Sequence, residues 1–201
     1  MASETEICNL SLGHLGHTSF IGNLETEKSN EANICRVFYP KARDEALKDF
    51  PHSFSTKFAS LALVSANPTT EWAYAYQYPT DCLHFRRILS GIRNDTRQSR
   101  VPYRIVHGES KKLIYTDMEN VVAEYSMKVT ETERYPVDFI MTLSFLLAFY
   151  IAPGLTSGDP FKLGDRALKL YEMERIKTNA ANENEQQAEE EPQSEFERVR
   201  E

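Results

Sequence analysis

The sequence predicts an α+β fold: a helical bundle formed from N- and C-terminal helices, with an inserted small antiparallel β module and an extended C-terminal tail. Three observations carry this. Apolar residues recur every three or four positions over 32–50, the spacing of a helix with a buried face, and fill almost every position over 139–151, as in a central helix of a bundle. Between Pro68 and Thr132 the spacing shortens to two, the period of strands. After Lys177 large apolar residues all but vanish. At 201 residues the chain holds one well-packed core with appendages. The expected division is 1–66 with 133–177 for the bundle, 67–132 for the β module and 178–201 for an acidic tail.

Ser3 and Glu6 match a capping box, in which hydroxyl and carboxylate satisfy free backbone donors at a helix start. The short first helix that follows carries Ile7 and Leu10 inward, and Gly13 and Gly16 weaken or end it. The loop HTSFIGNLETEKSN offers Phe20, Ile21 and Leu24 as plugs into a core. A second helix starts near Ser29. Ala32, Cys35, Phe38, Tyr39, Ala42, Ala46, Leu47 and Phe50 form its inner stripe, while Arg36, Lys41, Glu45 and Lys48 point outward. Pro40 lacks a donor and crowds the preceding turn, which predicts a kink.

Over 51–66, Phe54, Phe58, Leu61 and Leu63 are apolar enough to be buried, and helix and strand fit them equally. The stretch WAYAYQYPTDCLHFRRI reads as strand, sharp turn, strand. Trp72, Tyr74, Tyr76 and Tyr78 share one face, with Ala73 and Ala75 on the other. Pro79 removes a ladder donor and Asp81 caps the turn. Further alternating runs at YRIVHG, KKLIYT and VVAEYSMKVT complete a module of four or five strands. SGIRNDTRQSR, between the second and third of them, is a polar, arginine-rich loop. Helix returns at Tyr135, with Pro136 in its first turn and Asp138 at the positive end of its dipole. Apolar residues from Phe139 to Ile151 wrap most of the way round, which marks a central helix that Pro153 and Gly154 end. Asp159 and Pro160 start the last helix, with Leu163, Ala167, Leu170 and Tyr171 inside and Lys162, Arg166, Lys169 and Glu172 outside. From Asn179 onward the chain has too little apolar surface to offset its ordering entropy. Phe196 and Val199 are its anchors, spaced for one face of a short helix formed on a partner.

The formal net charge of −7 is uneven: Thr178 to Glu201 hold eight glutamates and two arginines, a net of −6, which leaves −1 for residues 1–177. A near-neutral body gives no global electrostatic case for gripping nucleic acid or membrane. Cys8, Cys35 and Cys82 are odd in number and lack CxxC spacing, and MASETEICN has no signal-peptide pattern, so we expect reduced thiols in a cytosol-made protein. The apolar run Phe139–Ala152 falls short of the ~20 residues that span a bilayer.

No GxSxG, P-loop, HExxH or GxGxxG motif is present. His14 and His17 are three apart, but their glycine-rich context and the lack of a third ligand disfavour a metal. Asp44 and Glu45 diverge by about 100° on a helix, which suits solvation or ion pairing and not acid/base work. No catalytic residue, metal or cofactor is expected. Arg86, Arg87, Arg93, Arg97 and Arg100 form either a positive edge toward phosphates or an acidic partner, or a solvated loop.

Several blocks, in order, resemble the head-to-tail adaptor family of tailed bacteriophages, called tail tubular protein A in short-tailed phages. They are ICNLSLGHLG; GNLETEKSNEANICRVFYPKARDEALKDFPHSF; WAYAYQYPTDCLHFRRI; a β stretch ending VVAEYSMKV; and YPVDFIMTLSFLLAFYIAPGLT with the last helix. Positions matching Tyr39, Arg43, Asp44 and Leu47 are typical of that family, as is a proline-aromatic corner at Pro51 and Phe54. The corner usually holds a tryptophan, and here His52 stands beside Pro51. The resemblance implies a homododecameric ring in the virion neck, made in the host cytoplasm. The ring docks beneath the portal and above the tail nozzle or tube, with DNA passing through its channel unread on ejection, and needs no enzymatic step and no membrane. In that setting the expected portal-docking arm is the tail, through Phe196, Arg198, Val199, Glu189, Glu190 and Glu191, its weak single-copy affinity multiplied by avidity. The arginine set is the expected channel, nozzle or neighbour contact. The other classes are a neck or connector protein of a longer-tailed phage and a soluble hydrolase.

Overall fold

The structure, a computed structural model, describes residues 2–92, 99–109, 111–159 and 161–185. It is an α+β fold of four helices and two antiparallel sheets, of three and four strands. The chain divides into two compact units, Met1–Thr56 with Ser126–Asn182, and a second whose body is Lys57–Tyr125. The sequence places these divisions at 66/67 and 132/133. They fall earlier because the ambiguous stretch after Phe54 is strand, while Ser126 and Val129 are buried within the helical unit.

The helical unit contains α1 (Glu4–His14), α2 (Asn30–Asp49), α3 (Val137–Leu155) and the body of α4 (Leu163–Glu185). The expected capping box opens α1: the Glu6 amide donates to Ser3 Oγ at 3.2 Å and the Ser3 amide to Glu6 Oε2 at 2.7 Å. The helix closes with Gly16 at φ +77° and the His17 amide reaching back to the Leu12 carbonyl, a left-handed stop that glycine adopts without strain. Ile7 is buried, as expected. Leu10 is exposed, and Cys8, Ser11 and Leu12 are buried in its stead. In the following loop Ile21 and Leu24 plug the core, whereas Phe20 is 60% exposed. α2 starts at Ser29 and stays one helix through Pro40, which faces solvent.

α3 is the core element. Eleven of its nineteen residues are buried, and it packs against α1 and α2. It is the one described helix long and apolar enough to cross a membrane, and here it is the covered centre of a bundle. It runs through Pro153 to Leu155, three residues past the expected end. The next helix starts at Leu163, later than Asp159 and Pro160 suggest. Asp159, at φ +58°, reaches forward so that its carboxylate accepts from the Leu163 and Gly164 amides at 2.7 and 2.6 Å. A methyl on Gly164 would stand 2.9 Å from that carboxylate and 3.2 Å from the Ala152 Cβ, so a side chain there would push the capping carboxylate aside.

α4 continues to Glu185, eight residues beyond the predicted end of the bundle. The boundary expected at 177/178 shifts, because residues 178–185 continue the helix with a buried face that is polar. Thr178 Oγ1 bonds Thr142 Oγ1 at 2.9 Å, and Asn182 Oδ1 accepts from the Ser53 amide at 2.9 Å. Composition has no apolar signal to register there.

The second unit has seven strands: β1 (Thr56–Ser60), β2 (Leu63–Ala66), β3 (Tyr74–Gln77), β4 (Cys82–Ile88), β5 (Arg104–His107), β6 (Lys112–Thr116) and β7 (Val122–Met127); β3 to β7 are the four or five expected after Pro68, and the ambiguous stretch before it adds β1 and β2. They form sheets ordered β1-β7-β4 and β2-β3-β6-β5. Strands β3 and β4 flank the predicted turn, in which the Cys82 amide donates to the Pro79 carbonyl. The two strands belong to different sheets. Phe58 and Leu63, expected inside, are exposed on β1 and β2.

Asn182→Ala should destabilise the protein by about 0.5–1.5 kcal/mol, because the Ser53 amide loses its acceptor in a part-buried site. Urea unfolding measures this, and an unchanged midpoint would show that α4 ends functionally before Asn182.

Candidate functional site

The family-like residues of α2 form one buried corner. Tyr39 and Leu47 lie on its inner stripe, and Arg43 joins them at 6% exposure, its guanidinium 6.0 Å from the Tyr39 ring centre. A buried guanidinium needs partners. Asp44 Oδ1 accepts from Arg43 Nη2 at 2.9 Å, Glu4 Oε1 stands 3.9 Å from Nη1, and Lys128 Nζ reaches Asp44 Oδ2 at 2.8 Å. Asp44 is thus a clasp between α2 and the segment entering from β7. Its neighbour Glu45 points elsewhere and accepts from the Tyr150 hydroxyl at 2.5 Å, which with burial pushes Tyr150 up to about 12. The two carboxylates diverge, as the helical angle dictates.

The proline-aromatic corner follows α2. Phe54 packs edge-on to Phe139 at 5.0 Å and tilts against Tyr135 at 5.8 Å. His52, buried, fills the place beside Pro51, with Phe50, Phe54 and Phe139 rings around it at 5.0–5.5 Å. The Pro51 carbonyl accepts from the Asn182 side chain at 3.4 Å. An imidazole does the ring packing that an indole would do.

In the β unit, Tyr74 and Tyr76 share a face with ring centres 6.3 Å apart. Tyr76 is buried and donates to the Met118 carbonyl at 3.1 Å, and Ala75 on the opposite face is buried too. Trp72 lies in a bend before β3, half-buried. Tyr78 packs against Phe85 at 6.2 Å and bonds the Cys82 thiol. Asp81 does more than cap a turn: it accepts from Lys57 Nζ at 2.7 Å and from the Tyr125 hydroxyl at 3.0 Å. Burial works against its charge, but these two donors outweigh it and hold the carboxyl below its ordinary range. Asp81 therefore stitches β1 to β7 across the turn.

The arginine set is split. Arg87 on β4 pairs with Glu124 on β7 at 2.5 Å, and Arg86, also on β4, is half-buried. Arg100 is exposed. Arg93 and Arg97 lie outside the described residues, as do Phe196, Val199, Arg198, Glu189, Glu190 and Glu191 of the tail.

The histidine pair dissolves in space. His14 stacks on Phe145 at 4.0 Å and its Nε2 bonds Ser144 Oγ at 3.0 Å, while no group of three metal-type side chains occurs among the described residues. Cys8 and Cys35, both buried free thiols, face each other from α1 and α2. Their hydrogen bond and burial push the Cys8 thiol up. Cys82 is also free. The Asp44 clasp to Lys128, the Asp81 stitch and the 178–182 contacts are invisible to spacing rules, since each joins residues more than twenty positions apart. The chain matches no protein-family model and no curated protein.

Burial lowers the His14 pKa from its ordinary 6.5. The unfolded chain then binds the proton more readily than the native one, so stability is full above about 6.5 and falls as pH drops toward the lower folded value. Denaturant titrations across pH 7.5 to 5 should show this loss, and His14→Gln should flatten it; an equal slope in the variant would assign the loss elsewhere.

Proposed function

We propose that this protein is a structural head-to-tail adaptor of a bacteriophage, one subunit of a homododecameric ring that joins portal to tail nozzle and lines part of the DNA channel. The observation that supports this is where the family-like blocks fall. ICNLSLGHLG is α1 with its closing turn, the block ending in PHSF is α2 with its aromatic corner, WAYAYQYPTDCLHFRRI is β3, turn and β4, and YPVDFIMTLSFLLAFYIAPGLT is α3. The blocks coincide with secondary-structure elements, in family order, and of the residues typical of the family Tyr39, Arg43 and Leu47 are buried.

The role asks for binding surfaces and no catalytic step. A ring subunit needs a rigid body, for which the bundle is suited. The inserted β unit supplies a second surface, and the net charge of −1 over residues 1–177 avoids the accumulation of phosphate contacts that would hold DNA in transit. The docking arm begins after Glu185, because Thr178 and Asn182 are committed to the bundle. In the arm, Phe196 and Val199 enter a portal groove and the glutamates meet basic portal residues.

Native mass and negative-stain imaging of the chain with the portal ring of its own virus should show a stoichiometric ring of about twelve copies stacked on portal. A persistent monomer that ignores portal overturns the adaptor reading. Truncation after Glu185 should leave the unfolding midpoint unchanged and abolish stacking on portal; normal portal affinity in that truncation would remove the arm from the reading.

A further inference from the structure

The two sheets present four edge strands, β1 and β4 in one and β2 and β5 in the other. Proteins guard such edges with charge, because an unpaired row of amides and carbonyls templates another strand. Three of the four are guarded: β1 carries Lys57, β4 carries Arg86 and Arg87, and β5 carries Arg104 with His107. β2 carries nothing. From Phe58 to Thr70 no residue is charged, in a chain that is 26% charged overall. All four β2 residues are exposed, Leu63 at 54% and Val64 at 53%. Among the described residues no strand covers its outer side.

We infer that the β2 edge is a docking strand for β5 of a second copy of this chain, so that the four-stranded sheet continues head to tail from one copy to the next. Strand polarity selects this partner. An antiparallel sheet of four has edges running in opposite directions, so copies related by rotation alone bring β2 and β5 together antiparallel, the better-bonded arrangement. The edges of the three-stranded sheet run the same way and would meet parallel, with Lys57 facing arginines. Charge selects it too. Pairing β5 with another β5 brings two Arg104 guanidinium groups into one four-residue ladder, where like charge is unfavourable, whereas β2 receives Arg104 without repulsion. Both strands have four residues, and Ile105 is 42% exposed on β5.

A two-fold pairing of β2 on β2 would give each copy only one such contact. A four-residue strand pair covers a small part of the about 800 Å² per partner that a stable interface buries. A head-to-tail assembly gives every copy two such contacts and closes into a ring if the rotation allows. The bulge at Val64 keeps the regular edge as short as its partner. This inference rests on the homo-oligomeric part of the proposed function.

The test is oxidative cross-linking of the full chain carrying Ser65→Cys with Ile105→Cys, alone at high concentration and on the portal ring, with each single variant and the wild type as controls. The expected result is a ladder of linked copies from the double variant only. Val64→Lys, a surface change, should weaken self-association by about fivefold through like charge opposite β5. Wild-type rings without links in the double variant, or equal linking by Ser65→Cys alone, overturn β2 to β5 pairing and leave the ring intact. A wild-type chain monomeric under both conditions overturns the pairing and the ring together.

Discussion

The burial of α3 is the constraint on which the helical unit depends. Its apolar residues wrap the helix almost completely, so one neighbouring face cannot cover it, and α1 and α2 from one end of the chain and α4 from the other must all contribute. Five of its large side chains, Phe139, Leu143, Leu146, Leu147 and Ile151, are almost fully enclosed; at roughly 1.5–3 kcal/mol each, their transfer from water is comparable to the whole net stability of a domain. The chain between α2 and α3 is therefore free to be long, because helix packing already fixes both ends of the insertion. That is how a β unit of seven strands is carried as an insert.

Several buried polar groups of this unit are matched, while the Tyr39 hydroxyl and Asn179 Oδ1 are buried without a hydrogen-bond partner among the described residues. Thr142 and Ser144 on α3 are buried hydroxyls, answered by Thr178 and His14. Arg43 is answered by Asp44 and Glu4, and Asp49 at the end of α2 accepts from the Tyr171 hydroxyl and the Arg175 guanidinium at 3.1 and 2.6 Å. Removing one member of such a set leaves its partner desolvated, so these pairs specify how the helices meet more than they add net stability. The polar contacts of α4 with α2, with α3 and with the 51–53 segment recur at Tyr171, Arg175, Thr178 and Asn182, one face of a helix at three- and four-residue spacing.

The β unit is organised differently. Its core rests on Tyr76, Phe85, Ile88, Ile114 and Tyr125, and Asp81 and Glu124 tie strands of the three-stranded sheet through Lys57, Tyr125 and Arg87. Little of its apolar surface is spare for β1, β2 and β5, which leaves Phe58, Leu63, Val64 and Ile105 exposed.

The sequence by itself determined the local elements. A capping box at Ser3, a cap at Ser29 and an apolar stripe through Tyr39 and Leu47 are governed by hydrogen bonds and side-chain directions a few residues apart, and so is the period-two run at Tyr74 and Tyr76. It also determined that α3 is central, since an all-round apolar helix has only one use in a folded bundle. Tertiary structure decided everything that joins distant positions. Phe58 and Leu63 look like core residues, yet they lie on strands whose outer faces the unit cannot cover. Residues 178–185 look like the start of a tail, yet Thr178 and Asn182 find polar partners at Thr142 and Ser53, and hydrogen bonds across such separations leave no periodic mark in composition. His52 holds a place where the family resemblance expects tryptophan, because three surrounding rings require a flat side chain there and not an indole in particular.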